Sequence, residues 1–260
     1  MDYINNQTGC RQGLLENRSV IKKNMYAIIE PDGLVKNNLF GYENCDISIL
    51  SSPKLGASFI DYIITVKKNG KNIEGIGSET DEVFLFVIEG QLEVYNSDKK
   101  TSLTSGGYFY SRTGQKLYFE NITEYNAKIL LYKRKYKKLK DFIPDTICGN
   151  INDIPYKKFE EMDNVFIKDL LPSDFAYDFN FHILCFKSGA SHGYLETHIQ
   201  EHGAYILSGK GMYNLDNNWY MVQKDDYIFM ASYCLQGGYG VGQDDFIYIY
   251  SKDCNRDEEI

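Results

Sequence analysis

His182, His192, His198 and His202 are the only histidines of this 260-residue chain, and all four fall within 21 consecutive residues. Imidazole is a common nitrogen ligand for metals and the side chain that titrates near neutrality, so such crowding marks a site rather than scattered surface use. Glu196 and His198 stand two apart. On extended backbone that spacing sends both side chains off one face, and His202 can join them across a short turn. His182, inside an apolar run, reads as a core histidine and His192 as a loop residue, and neither is assigned to the site.

Strands must position these groups. The chain carries 22 Tyr, 15 Phe and only 5 Pro, and its apolar residues alternate in short runs such as Phe84, Phe86, Ile88 and Tyr205, Leu207. That is strand periodicity, punctuated by glycine turns. Helical signal is weak: residues 157–162 and the first thirty residues could each hold a turn or a short helix. A repeat organises the whole. Residues 86–94 (FVIEGQLEV) align with 205–213 (YILSGKGMY), placing Gly90 and Gly209 119 positions apart, and residues 105–110 (SGGYFY) align with 224–229 (KDDYIF) at the same offset. Two copies of one β-unit predict an all-β chain of two tandem barrels with an N-terminal arm before residue 50. The join falls within residues 144–150, which gives an arm and first barrel over residues 1–145 and a second barrel over 146–260.

Composition narrows the partners. Lys plus Arg total 28 against 36 Asp plus Glu, a net charge of −8, which disfavours nucleic acid and anionic membranes. The most basic stretch, residues 133–140 (KRKYKKLK), reads as a solvated strand end and linker. Six cysteines without CxxC spacing read as reduced thiols. The polar N-terminus lacks a leader pattern and no stretch reaches bilayer length, so a cytoplasmic protein is expected.

The Glu196, His198, His202 and Gly209 spacing resembles the first motif of the cupin superfamily, with Glu in the first His position and His in the usual Glu position. The second cupin motif supplies a fourth ligand from a distant strand. Gln236 falls on that position if Asp225, Ala231 and Tyr233 stand where the family has Gly, Pro and Gly. Stepping back 119 residues gives Gly77, Glu79, Val83 and Leu117 at the four ligand positions, while Gly106, Gly114 and Asn121 are kept. The first barrel therefore reads as structural and the second as functional. One carboxylate, two imidazoles and one amide oxygen suit a divalent ion with open positions; Mn²⁺ is the natural choice, with Fe²⁺, Zn²⁺ and Ni²⁺ compatible.

Residues 195–242 and 250–257, together with residues 52–59 (SPKLGASF), resemble the bicupin (S)-ureidoglycine aminohydrolases of purine and allantoin breakdown. The resemblance implies Mn²⁺ on Glu196, His198, His202 and Gln236, and a substrate pocket lined by Tyr213, Tyr248 and Lys252, with Glu196 and Gln236 also reaching the substrate. Tyr248 and Lys252 share parity, so they leave one face of the last strand; the repeat partners of these three pocket residues are Val94, Ile129 and Lys133. The implied reaction removes the α-amino group of (S)-ureidoglycine by hydrolysis, giving (S)-ureidoglycolate and ammonia. Lys252 is the first candidate to move protons and Glu196 the second, with hydrogen-bonding roles for the two tyrosines. A homo-oligomer is a further expectation from the resemblance. The rivals are another metal bicupin enzyme, such as a dioxygenase or a sugar isomerase, and a ligand-binding cupin without activity.

Overall fold

The computed structural model describes residues 18–256. Its arm contributes strands β1 (Val20–Lys22) and β2 (Tyr26–Ile29). The first half supplies β3 (Tyr42–Ser51), β4 (Phe59–Asn72), β5 (Asp81–Glu89), β6 (Gln91–Tyr95), β7 (Lys100–Thr104), β8 (Gly107–Ser111), β9 (Tyr118–Glu120) and β10 (Ala127–Lys135), and β11 (Ile147–Asn150) opens the second. The second supplies β12 (Lys157–Lys158), β13 (Val165–Asp169), β14 (Phe179–Phe186), β15 (His202–Ser208), β16 (Lys210–Leu215), β17 (Asn218–Gln223), β18 (Tyr227–Met230), β19 (Gln236–Val241) and β20 (Phe246–Asp253). Two three-residue 3-10 turns are the helical content among the described residues. Residues 157–162, a candidate short helix, instead form β12 and a turn in which Glu160 and Glu161 take φ of 45° and 61°. Of the first thirty residues, those from 20 to 29 carry β1 and β2, and those before 18 lie outside the described residues.

All strand pairs are antiparallel. β3 to β11 make one sheet in the order β11-β8-β5-β10-β4-β9-β6-β7, with β3 on the flank of β4. The second half splits into β1-β2-β18-β15-β20-β14-β13-β12 and β17-β16-β19. The two halves match at the offset of 119 in their turns as well as their strands. Gly90 and Gly209 take φ of 86° and 74°, Gly106 and Asp225 83° and 73°, Gly114 and Tyr233 79° and 62°. Asp225 and Tyr233 thus hold the left-handed turn conformation that the motif reserves for glycine, at a steric cost that is highest for the bulky tyrosine.

The halves exchange strands. β2 pairs with β18 of the second half, and β11, which follows the join, pairs with β8 of the first. Each large sheet thus ends on strands from outside its own half, β11 on one and β1 and β2 on the other.

Three apolar clusters follow from strand parity. Val83, Leu85, Val87, Ile129 and Leu131 face the interior of the first barrel. Ala204, Ile206, Ile228, Met230, Phe246 and Tyr248 face that of the second. The alternate residues of the same strands, among them Phe84, Tyr132, Phe179, Phe181, Tyr205, Tyr227 and Phe229, form a layer between the barrels. Phe84 stacks on Phe181 at 4.0 Å and 7°, and Tyr132 meets Phe181 edge-on at 5.2 Å. Each such pair contributes about 0.5–1.5 kcal/mol beyond the area it buries.

Charged groups are buried in this layer. Arg134 of β10 is 7 % exposed, so the basic stretch is not a solvated strand end throughout: Arg134 shares parity with Tyr132 and points between the barrels. Asp61 is fully buried and accepts a hydrogen bond from Tyr227 Oη at 2.6 Å. Gly203 lets this pair exist, because a Cβ there would lie 2.1 Å from Asp61 Oδ2 and 2.5 Å from Tyr227 Oη. Cys45, Cys148, Cys185, Cys234 and Cys254 are free thiols. Among the described residues no helix is long and apolar enough to cross a membrane.

Burial lifts the Asp61 carboxyl to about 7. A raised folded-state value means that the native protein holds its proton where the unfolded chain releases it, so the contribution to stability is lost as pH rises from about 4 through about 7. Asp61→Asn is expected to match wild type in urea unfolding near pH 4 and to exceed it at pH 8 by up to about 4 kcal/mol. Equal pH dependence in the two proteins would refute this. Gly203→Ala overpacks the layer beside His202 and is expected to lower the unfolding free energy by about 2 kcal/mol, measured in the same way.

Candidate active site

The site grows from one backbone pairing. Glu196 and Gln236 form an isolated antiparallel bridge, with Glu196 N donating to Gln236 O at 2.8 Å and Gln236 N to Glu196 O at 2.9 Å. Reciprocal bonds of this kind set two side chains next to each other on one face. Glu196 is therefore placed by a bridge rather than by the extended strand that its spacing to His198 suggested. His198 follows in irregular backbone, anchored by Tyr233 N donating to its carbonyl at 2.7 Å. His202 opens β15 opposite Met230 of β18.

The imidazoles are oriented by main-chain carbonyls. Nδ1 of His202 lies 2.8 Å from Ser251 O, and Nδ1 of His198 lies 3.1 Å from Gln200 O. A carbonyl can only accept, so each Nδ1 carries the proton and each Nε2 presents its lone pair. Those two Nε2 atoms face each other at 3.3 Å. Burial lowers the proton affinity of both rings, reinforced at His198 by the Lys252 charge and at His202 by His198, so both stay neutral near pH 7. Gln236 Nε2 lies 2.9 Å from His198 Nε2, while its Oε1 is buried without a hydrogen-bond partner. Turning the amide over would aim that oxygen into the same space.

Opposed lone pairs and an orphaned buried oxygen call for an electrophile, and this donor set fits a divalent cation. Glu196 stands further back, its Oε1 4.0 Å from His198 Nε2 and 3.9 Å from His192 Nε2. Among the described residues no three His, Cys, Asp or Glu side chains form a closed ligand cage, and the Glu196 side chain must swing toward the imidazoles to complete one.

Around the set lies a cavity of about 70 Å³ lined by Glu196, His198, His202, Tyr213, Gln236, Tyr248 and Lys252 among others. All seven residues singled out from the sequence thus border one space. Tyr213 of β16 and Tyr248 of β20 approach each other at 3.5 Å between hydroxyls. Gly238, paired with Tyr213 across β16 and β19, makes room for that ring, since a Cβ there would lie 2.9 Å from it. Burial raises both phenols above their ordinary range, so both remain protonated donors.

The cavity wall also includes residues that the motifs did not mark, among them His192, Tyr250 and Phe159. His192 lines the cavity with its side chain 6 % exposed, although it holds no motif position. Tyr250, between Tyr248 and Lys252 in parity, packs its ring edge-on to His202 at 5.3 Å; the parity that linked its two neighbours was the signal. Phe159 closes another side from a loop that carries no pattern. His182 behaves as a satisfied histidine, its Nδ1 2.9 Å from Asp169 Oδ1.

The first barrel puts apolar residues in place of Glu196, His202, Gln236, Tyr213 and Tyr248. Its bridge pairs Ile76 with Leu117, so the true counterpart of Glu196 is Ile76, not Gly77: the offset slips by one residue before β5. Ile76, Val83 and Leu117 are buried together in the apolar interior of that barrel.

No family model matches the chain. It is 52 % identical over 261 residues to the (S)-ureidoglycine aminohydrolase of Escherichia coli strain K12, covering all of both chains. Its fold superposes on the crystal structure of protein Ylba from E. coli with a TM-score of 0.87 at 50 % identity, covering 96 % of this chain and 99 % of that one. A Bacillus subtilis oxalate decarboxylase with Mn(II) centres shares the fold at a TM-score of 0.65 and 11 % identity, over 95 % of this chain and 85 % of that one. With a relative of that identity along its full length, and with two barrels of cupin type, the chain belongs to the (S)-ureidoglycine aminohydrolase family of bicupins.

Proposed function

We propose that this protein is a metal-dependent hydrolase that converts (S)-ureidoglycine and water to (S)-ureidoglycolate and ammonia. The observation that carries the substrate is the full-length relative of that activity at 52 % identity. The opposed Nε2 atoms and the orphaned Gln236 oxygen support the metal. Glu196, His198, His202 and Gln236 would hold it, and Mn²⁺ is favoured by the mixed oxygen and nitrogen donors. A bound divalent ion supplies positive charge that draws in the carboxylate of the substrate and polarises the reacting carbon.

The residues of the chain supply the rest. The reaction breaks the bond between the α-carbon and the amino nitrogen and forms one to a water oxygen, so a proton must leave water and another must reach the departing amine. Lys252, which borders the cavity from the end of β20 on the same face as Tyr248 and Tyr250, is the first candidate to carry that proton, and Glu196 the second. Tyr213 and Tyr248 donate hydrogen bonds that fix the ureido or carboxylate group. Phe159, Leu184 and Phe186 give the cavity an apolar wall that strengthens the polar contacts made inside it.

Purified protein loaded with Mn²⁺ and given freshly generated ureidoglycine is expected to release ammonia, and His198→Ala to lose both bound metal and turnover. Ammonia release by a chelated, metal-free preparation at the normal rate would overturn the metal dependence. Lys252→Met is expected to keep its metal, measured by elemental analysis, and to lose kcat by roughly 10²-fold or more. A normal kcat in that variant would remove Lys252 from the proton path.

A further inference from the structure

His192 lines the active cavity without a place in the ligand set, and its side chain is 6 % exposed. Its backbone is pinned to β19, with N donating to Gly238 O at 2.8 Å beside the isolated bridge between Ser191 and Tyr239. The ring sits against Phe159 at 5.7 Å and edge-on to Tyr194 at 4.7 Å, and the Tyr194 hydroxyl donates to Glu160, which fastens this loop to the turn after β12. Nδ1 lies 2.7 Å from Tyr194 O. That carbonyl can only accept, so Nδ1 carries the proton and Nε2 of the neutral ring offers a lone pair. Packing and hydrogen bond together fix where that lone pair points.

It points toward Glu196. Nε2 stands 3.9 Å from Glu196 Oε1, beyond hydrogen-bond reach, so two acceptors face each other across a gap. Lone pairs held face to face in a partly buried site repel until a donor comes between them, and a nitrogen at about 2.9 Å from each can donate to both. A carboxylate has about four lone-pair sites, so Glu196 can serve a cation with one oxygen and this donor with the other. The first barrel shows the same position in an apolar setting. The offset of 120 residues that sets Ile76 against Glu196 sets Asn72 against His192. Asn72 is buried and spends both ends of its amide on backbone, Nδ2 donating to Leu117 O at 3.0 Å and Oδ1 accepting from Phe119 N at 2.6 Å. His192 gives only Nδ1 to backbone and turns Nε2 to the cavity.

We propose that His192 is a specificity-determining residue whose Nε2, together with Glu196 Oε1, receives the α-amino group of the substrate. The assignment rests on ureidoglycine being that substrate, as proposed above. An amino or ammonium nitrogen brings two or three donors and satisfies both acceptors, whereas the hydroxyl of the product, ureidoglycolate, brings one. Product therefore leaves one acceptor unmatched, and a site built around a donor discriminates strongly against analogues that lack it. The pair holds substrate in preference to product.

The test compares Mn²⁺-loaded wild type with His192→Phe, which keeps a ring between Phe159 and Tyr194, by ammonia release from freshly generated ureidoglycine and by inhibition with (S)-ureidoglycolate. His192→Phe is expected to bind as much metal by elemental analysis, to raise KM at least about tenfold, and to change the inhibition constant of ureidoglycolate by less than about threefold. His192→Gln, whose amide oxygen reaches toward the place of Nε2, is expected to recover most of the lost affinity. His192→Asn, the residue of the first barrel, gives the same rise in KM should His192→Phe fail to fold. An unchanged KM overturns the assignment, as does a parallel rise in KM and inhibition constant, which reports general damage to the pocket. Loss of metal in His192→Phe also overturns it, by making His192 a support for Glu196. Wild type that releases no ammonia refutes the activity itself, and the assignment with it.

Discussion

Both faces of β15 and β20 are buried, and the site depends on that. Ala204, Ile206, Tyr248 and Tyr250 look into the second barrel while Tyr205 and Ile249 look into the aromatic layer between the barrels. A slip of one residue in either strand would turn the cavity-lining side chains into the aromatic layer and the layer side chains into the cavity, so no neighbouring register competes. His202 and Lys252, at adjoining ends of these strands, inherit their aim from that exclusion. Beyond the site the pairing of β15 and β20 shifts at a bulge between Ile206 and Ser208, where register no longer matters to the ligands.

Polar groups inside a barrel cost stability, and the molecule divides the cost between its halves. The first barrel fills the equivalent positions with Ile76, Val83 and Leu117 and closes into an ordinary apolar core. Relieved of ligands, it serves as a stiff platform whose outer face carries Phe84 and Tyr132 against Phe179 and Phe181. The second barrel keeps its buried imidazoles by giving each Nδ1 a carbonyl. What remains unsatisfied, two facing Nε2 lone pairs and one amide oxygen, is a demand that a divalent cation would meet.

Much of this was legible in the sequence, for reasons that can be named. Alternation reveals strands because burial has a period of two, and the repeat survives because both halves need the same turns; Asp225 and Tyr233, with φ of 73° and 62°, keep glycine conformations without glycine. The cluster of Glu196, His198 and His202 was legible because histidine is rare in this chain and the three stand at short spacings, whereas Gln236, from a distant strand, was reached only through the resemblance. The one-residue slip that makes Ile76 the counterpart of Glu196 was not, since a fixed offset cannot register a deletion in a loop. His192 and Phe159 reach the cavity from irregular backbone, which carries no periodic signal. Arg134 misled for a different reason: charge in a run of lysines reads as solvated, but parity on β10 turns this one residue inward while Lys133 and Lys135 face elsewhere.

Strand exchange ties these features into one unit. β2 lies on the outer side of β18, whose Met230 stands opposite His202, and β11 does the same for β8 of the first barrel. Pulling the barrels apart would strip each of a strand and expose the hydrogen-bonding edge beneath it, in addition to baring the aromatic layer. The second barrel, which holds every candidate ligand, therefore leans on strands and side chains from the rest of the chain. Arg18 makes the same point from the arm: it pairs with the buried Asp226 at 2.7 Å, beside the turn that Asp225 forms and that Lys128 of the first barrel contacts at 2.8 Å. Residues from the arm, the first barrel and the second barrel meet at that corner, and the strand that leads from it, β18, is the one that backs His202.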